Sequence, residues 1–161
     1  DFLLGLSVVA LGYVLHDQIY NIRGNVISIV IAIVTGSAVG ILSVALIARW
    51  MGAEPAVVAS LEPKSVTTAI ALSLSANSGG IPALTSVVVI VVGVFGGIVG
   101  PWVLRKVGVE SRIAKGLAMG AAAHAMGTAR AMELEGAISG LAIGLMGVAT
   151  AVLVPILEKI I

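Results

Sequence analysis

The sequence contains no cysteine, only nine basic and eight acidic residues, and two residues each of tryptophan, tyrosine and phenylalanine in 161 positions. Each scarcity excludes something. Without cysteine there is no disulfide framework, no thiolate metal site and no cysteine nucleophile. Charged residues at 11% cannot cover a water-facing surface, for which a soluble domain uses about 25%. A net charge of +1, with no basic stripe and no interleaved aromatics, leaves no footprint for nucleic acid. The two histidines, His16 and His124, lie far apart in the chain and form no metal-ligand cluster. Lys64 and Ser65 make no catalytic dyad, because adjacent helical side chains do not face one another. The glycine-rich stretches lack the lysine-bearing phosphate-loop pattern. No enzyme and no cofactor is indicated.

What is present is apolar length. Apolar residues make up 59% of the chain and its mean hydropathy is +1.17. Twenty glycines fit a membrane interior, where small residues let helix backbones approach closely. The expected fold is an all-α integral membrane protein, a polytopic helix bundle forming a single membrane domain over 1–161. A span needs about 20 apolar residues. Val26 to Ala48 qualifies between Arg23 and Arg49, Ile81 to Leu104 before Arg105-Lys106, and Ala137 to Leu157 before Glu158-Lys159. Phe2 to Leu15 is apolar but short. The chain begins at Asp1 with no charged leader, and is read as processed or as a fragment lacking N-terminal spans.

Two stretches between the spans are too polar for lipid and too apolar for loops. Glu54 to Gly80 carries Glu62-Pro63-Lys64 and a run of hydroxyls. Ser111 to Gly136 carries Lys115, His124, Thr128, Arg130, Glu133 and Glu135. Pro63 should break the first, and Gly120 and Gly127 loosen the second. Irregular backbone at membrane depth survives only where protein or a wet cavity surrounds it, so both are expected to be discontinuous or re-entrant helices. Lys64 to Leu72 aligns with His124 to Met132 at a constant offset of 60 residues, with Thr-Ala-x-Ala in both. The repeat units are about 54–106 and 111–160, and paired interrupted segments of this kind mark secondary transporters. If both stretches cross the membrane, Arg49 and Lys159 join Arg105, Lys106, Arg112 and Lys115 on the cytoplasmic side. If both are hairpins, Arg49 and Lys159 move out and Arg23 moves in. By the positive-inside rule the crossing alternative fits the charges slightly better, without settling the choice.

Pro63-Lys64-Ser65-Val66-Thr67-Thr68, Gly79-Gly80-Ile81-Pro82-Ala83-Leu84-Thr85 and His124-Ala125-Met126-Gly127-Thr128-Ala129-Arg130-Ala131 together resemble the LrgB/CidB family. The resemblance covers most of the chain and is sharpest from Leu61 to Leu157. Family members are usually longer, and Leu4 to Ala10 follows the family pattern only loosely. Two roles are implied. One is a carrier of small monocarboxylates such as glycolate, glycerate, pyruvate or lactate. The other is a holin- or antiholin-like modulator of murein hydrolase export and autolysis, acting with a small LrgA/CidA-type partner. The setting implied is a bacterial inner membrane, or the plastid inner envelope for a plant homologue.

The residues themselves suggest an anion site. A charge within a membrane segment costs about 2.5–3.5 kcal/mol on insertion scales, so it pairs, reaches water or serves function. Lys64, with Ser65, Thr67 and Thr68 at a helix start, suits a carboxylate; its rival role is pairing with Glu62 or snorkelling. Arg130 offers a bidentate fork, against a local pair with Glu133. His124 can couple protons to anion movement, or sit neutral and hydrogen-bonded. Thr128 can donate to substrate or bond its own backbone. Asn77 belongs to a turn. The Gly93, Gly96, Gly97 and Gly100 row permits close packing, within the chain or between copies of a homo-oligomer, for which a dimer is the favoured state.

Overall fold

The computed structural model describes residues 24–132 and 137–160, and these form six helices with no strand. They are α1 (Val26–Trp50), α2 (Pro55–Leu61), α3 (Thr68–Asn77), α4 (Pro82–Lys106), α5 (Arg112–Met132) and α6 (Ala137–Leu157). The stretch from Phe2 to Leu15, with His16 and Arg23, lies outside the described residues, as do Glu133 and Glu135. At 1.5 Å per residue, the 25-residue α1 and α4 are about 37 Å long and the 21-residue α6 about 31 Å. All three are long and apolar enough to cross a membrane. Their outer faces expose Ile27, Ile31, Ile90, Phe95, Ile98 and Val148, an arrangement that lipid accommodates and water does not. This is an all-α membrane protein.

The contacts give each helix its direction. Ile33 shares a core with Met146, and one turn further along both helices Ser37 Oγ meets Thr150 Oγ1 at 2.9 Å. The spans α1 and α6 are therefore parallel. Beyond α1 the chain turns through Gly52 at φ +79° and comes back, with Val58 packed on Ala45 and Ala48. Pro63, fully buried, stops α2 at Leu61, as its missing N–H requires. Lys64 then lies beside Gly40, deeper along α1. The helix α3 returns the way α2 came, so that Ile81 N–H, just past it, donates to Ser60 Oγ at 2.7 Å. Thr85 Oγ1 donates to Ser75 Oγ at 2.7 Å and Val89 packs in one cluster with Ala71, which sets α4 antiparallel to α3. The pair α2–α3 is a re-entrant hairpin.

The helix α5 is a second hairpin. Its first arm runs back along α4, bringing Met119 to Gly100, Ala123 to Gly96 and His124 to Gly93. Ala123 (φ −128°, ψ 19°) and His124 (φ 40°, ψ −132°) then leave helical geometry. The second arm doubles back, with Gly127 against Met119 O and Ala131 beside Gly116 and Lys115. The break falls at Ala123-His124 and not at the glycines. Gly120 lies against Ser139 and Ala142 of α6, and Gly127 against its own first arm, where a Cβ has no room. They let the arms close; packing on α4 makes the turn.

The hairpins start from opposite ends of the bundle, the geometry of the hairpin alternative and not the crossing one. Their tips converge near its middle. Gly40, beside Lys64, is two residues past the centre of α1, and Gly93, under His124, one residue before the centre of α4. Val66 of the first tip packs with Val89, whose carbonyl accepts from His124 of the second.

Candidate functional site

Between the two tips and α1 lies a cleft of about 570 Å³. The first hairpin supplies Lys64 and Ser65, the second the small residues Ala118, Ala121 and Ala122, and α1 supplies Gly36 and Gly40. Glycine and alanine on facing walls leave the space open. Every other lining side chain is apolar, so the ammonium and hydroxyl are its only polar side chains. Lys64 is half-buried, with Nζ donating to Ser65 Oγ at 3.2 Å and to Gly40 O at 3.5 Å. Neither acceptor is charged, and an ammonium has three donors. A cation in an apolar cleft, held by one hydroxyl and one carbonyl, keeps the capacity to bind an anion.

The other residues picked out in the sequence lie elsewhere. Thr67 caps the start of α3 by backbone geometry alone and Thr68 is its first residue; both are half-buried and neither lines the cleft. His124 is 5% exposed, and its Nε2 donates to Val89 O at 2.9 Å in the space that Gly93 leaves. Thr128 Oγ1 and Ser139 Oγ share a bond of 2.8 Å that ties the second hairpin to α6. Arg130 is exposed and lines a separate depression with Gly93, Gly97 and Met126. The structure thus brings Lys64 and Ser65 together and keeps His124, Thr128 and Arg130 out of their cleft. Asn77 ends α3 at the exposed turn where Gly79 takes φ +73°.

Sequence reasoning missed a second polar cluster. Glu62 does not pair with Lys64; its carboxyl faces that of Glu158, just beyond α6. Glu62 is the residue that follows α2, at the inner end of the first hairpin's first arm. The charged groups near Glu62 are Glu158 and Arg49. Ser37 and Thr150, both buried, lie next to it across a narrow crevice. The available signals were hydroxyls at mid-span and a carboxylate directly before Pro63.

The model of the LrgB-like family matches residues 1–160. The chain belongs to the LrgB-like family. An uncharacterized protein of Haemophilus influenzae is 40% identical to it over 99% of the chain and 70% of that protein. Antiholin-like protein LrgB of Bacillus cereus is 37% identical over 96% of the chain and 69% of its own length. Protein YwbG of Bacillus subtilis is 35% identical, over 94% and 68%. The LrgB-like chain therefore spans about 70% of the length of these relatives. No solved structure matches. Both hairpins and the cleft between them lie inside the LrgB-like match.

Proposed function

We propose that this LrgB-like protein is a secondary carrier for small monocarboxylates of the glycolate, glycerate, pyruvate or lactate type. The observation that carries the reading is Lys64 without a carboxylate partner among the described residues, in an apolar cleft between two opposed re-entrant hairpins. An anion leaving water must recover its hydration from fixed positive charge and donors. Lys64 supplies the charge, Ser65 a hydroxyl, and the small residues around them suit an anion of a few carbons. His124 and Thr128 then hold the second tip. By the positive-inside rule, the end bearing Arg105, Lys106, Arg112 and Lys115 faces the cytoplasm of a bacterial inner membrane. A homodimer, if formed, uses a face of α4 other than its glycine row, which the second hairpin occupies.

A second reading is favoured by the name antiholin-like protein LrgB, carried by relatives at 37% identity. Under it, this chain modulates murein hydrolase export and autolysis with a small LrgA-type partner. The comparisons speak for this reading and the cleft for the first. Uptake of radiolabelled glycolate, lactate and pyruvate into proteoliposomes, set beside autolysis rates of cells with and without the protein, separates them. Saturable flux that Lys64→Met abolishes in a folded protein supports the carrier. Absence of flux with altered autolysis supports the modulator.

A further inference from the structure

Neither functional reading uses the mouth of the second hairpin, where basic side chains border an apolar pocket. The pocket, about 110 Å³, lies between the last turns of α4 and the two arms of α5. Gly116, Met119 and Ala131, all buried, line it together with Pro101 and Leu104. Exposed Arg105 comes to it from α4 and half-buried Lys115 from the first arm of α5. A second depression, about 400 Å³, follows toward the middle of the bundle. One stripe of α4 serves both: Gly93 and Gly97 line the second and Pro101 the first, at steps of four residues. At about 30 Å³ for a group the size of water, the second has room for about thirteen such groups.

The charges decide what kind of molecule fits. From Arg105 to Lys115 the chain holds four cations against the single carboxylate of Glu110. Arg130, in the last turn of α5, adds a fifth; Glu133 and Glu135, outside the described residues, do not cancel the excess. Arg130 borders the second depression, and a long basic side chain at that depth carries its head outward to the polar level. At the opposite end of the bundle, Arg49 and Lys159 are matched by Glu54 and Glu158. Cations at the membrane edge with an apolar seam below them suit an amphiphile that has an anionic head and a hydrocarbon tail. A zwitterionic headgroup would bring one more ammonium to the cationic end. Free phosphate would leave the apolar lining unfilled.

We propose that the seam between α4 and the second hairpin binds an anionic phospholipid of the cytoplasmic leaflet, its phosphate at Arg105 and Lys115 and one acyl chain along the seam. Basic pockets between membrane helices on the cytoplasmic side take such headgroups, and the anionic lipids of that leaflet supply them. The pocket joins α4 to both arms of α5, so a lipid seated there fastens the hairpin to the span it packs on. The first arm of that hairpin also forms one wall of the Lys64 cleft, through Ala118, Ala121 and Ala122. The lipid site stands under either functional reading. Its side of the membrane is the one that the positive-inside rule gives.

The two tryptophans sit at opposite ends of the bundle and serve as reporters. Trp102 is exposed and directly follows Pro101, whereas Trp50 ends α1 beside Arg49. Trp50→Phe leaves the first as the sole indole and Trp102→Phe the second. Quenching is read in phosphatidylcholine vesicles that contain brominated phosphatidylglycerol or brominated phosphatidylcholine at equal mole fraction. Brominated phosphatidylglycerol should quench Trp102 more strongly than brominated phosphatidylcholine, and Trp50 no more strongly. Arg105→Gln with Lys115→Gln should lower the phosphatidylglycerol affinity seen at Trp102 by about thirtyfold, at about fivefold for each cation near the surface. Lys106→Gln with Arg112→Gln removes the same charge from outside the pocket and should lower it much less. Arg105→Lys with Lys115→Arg, which keeps both charges, should retain the preference. Equal quenching of Trp102 by the two lipids, equal losses in the two glutamine pairs, or displacement of the lipid by millimolar inorganic phosphate overturns the site. So does a Trp102 shielded from both lipids, which would mean that a protein partner or a second copy covers this face.

Discussion

The seating of the second hairpin on α4 gives a quantitative test. A methyl group on Gly93 would stand 2.6 Å from His124 Cε1 and 2.7 Å from Nε2, with Met126 Cγ at 3.0 Å. Carbon contacts settle at about 3.5–4.0 Å, so the imidazole must withdraw by about 1 Å. Its 2.9 Å bond to Val89 O then opens to about 3.9 Å, beyond hydrogen-bonding range. A buried imidazole N–H is left without an acceptor, at a cost of about 1–3 kcal/mol. Crowding of the tip adds about 1–3 kcal/mol. Gly93→Ala should therefore destabilise by about 2–6 kcal/mol. Gly100→Ala is the control, because its methyl would meet Met119 Sδ at 2.6 Å, and a thioether at the end of a flexible chain can move aside. Unfolding of both variants by SDS in mixed micelles, beside the wild type, measures the difference. Losses equal within about 0.5 kcal/mol, the scatter of independent sites, would refute the proposed seating.

Ser60→Ala removes the acceptor for Ile81 N–H at the mouth of the first hairpin and should cost about 1–3 kcal/mol in the same assay. Ser75→Ala should cost less, since Thr85 Oγ1 keeps its bond to Ile81 O at 3.2 Å; the reverse order would contradict the described network. Ser37→Ala and Thr150→Val should show a coupling of about 0.6 kcal/mol in a double-mutant cycle, the mean for bonds between membrane helices, and strict additivity would mean that the 2.9 Å bond contributes nothing. The cysteine-free sequence permits single-cysteine labelling with a membrane-impermeant reagent. Cysteines replacing Glu54 and Ser78 should label from one side and one replacing Val109 from the other; labelling of the first two from opposite sides would mean that the α2–α3 stretch crosses.

The three spans were legible because a bilayer leaves little choice: about 20 apolar residues must run without charge. The first break was legible because proline has one effect at that place, and Leu61 is indeed the last residue of α2. The second was legible as a region but not as a position. Ala121, Ala122 and Ala123 favour helix, and nothing local turns the chain at His124. The reversal comes from docking on the Gly93, Gly96 and Gly100 row, a tertiary effect. Topology was open because the hairpin and crossing alternatives differ in where a few charges fall, whereas contacts such as Ile81 with Ser60 depend on packing. In the candidate site, Lys64 and Ser65 were legible as a charge and a hydroxyl beside a break. Arg130 looked equivalent to Lys64 by residue type, and His124 by repeat position. Arg130 lies on an exposed face and His124 is bonded into α4, neither of which its neighbours in sequence indicate. Glu62 and Glu158 are far apart in the chain, and a sequence pairs a carboxylate most readily with the nearest cation.

The central claim is that a positive charge at position 64, open to the cleft, is what an anion binds. Lys64→Cys in this cysteine-free chain tests it within a single protein. The account predicts that saturable lactate and glycolate flux disappears in Lys64→Cys proteoliposomes. Modification with an aminoethyl thiosulfonate, which restores a cation, should bring it back, and a sulfonate-bearing analogue of similar length should not. Flux from unmodified Lys64→Cys at the wild-type rate, or equal rescue by reagents of both signs, would contradict the claim.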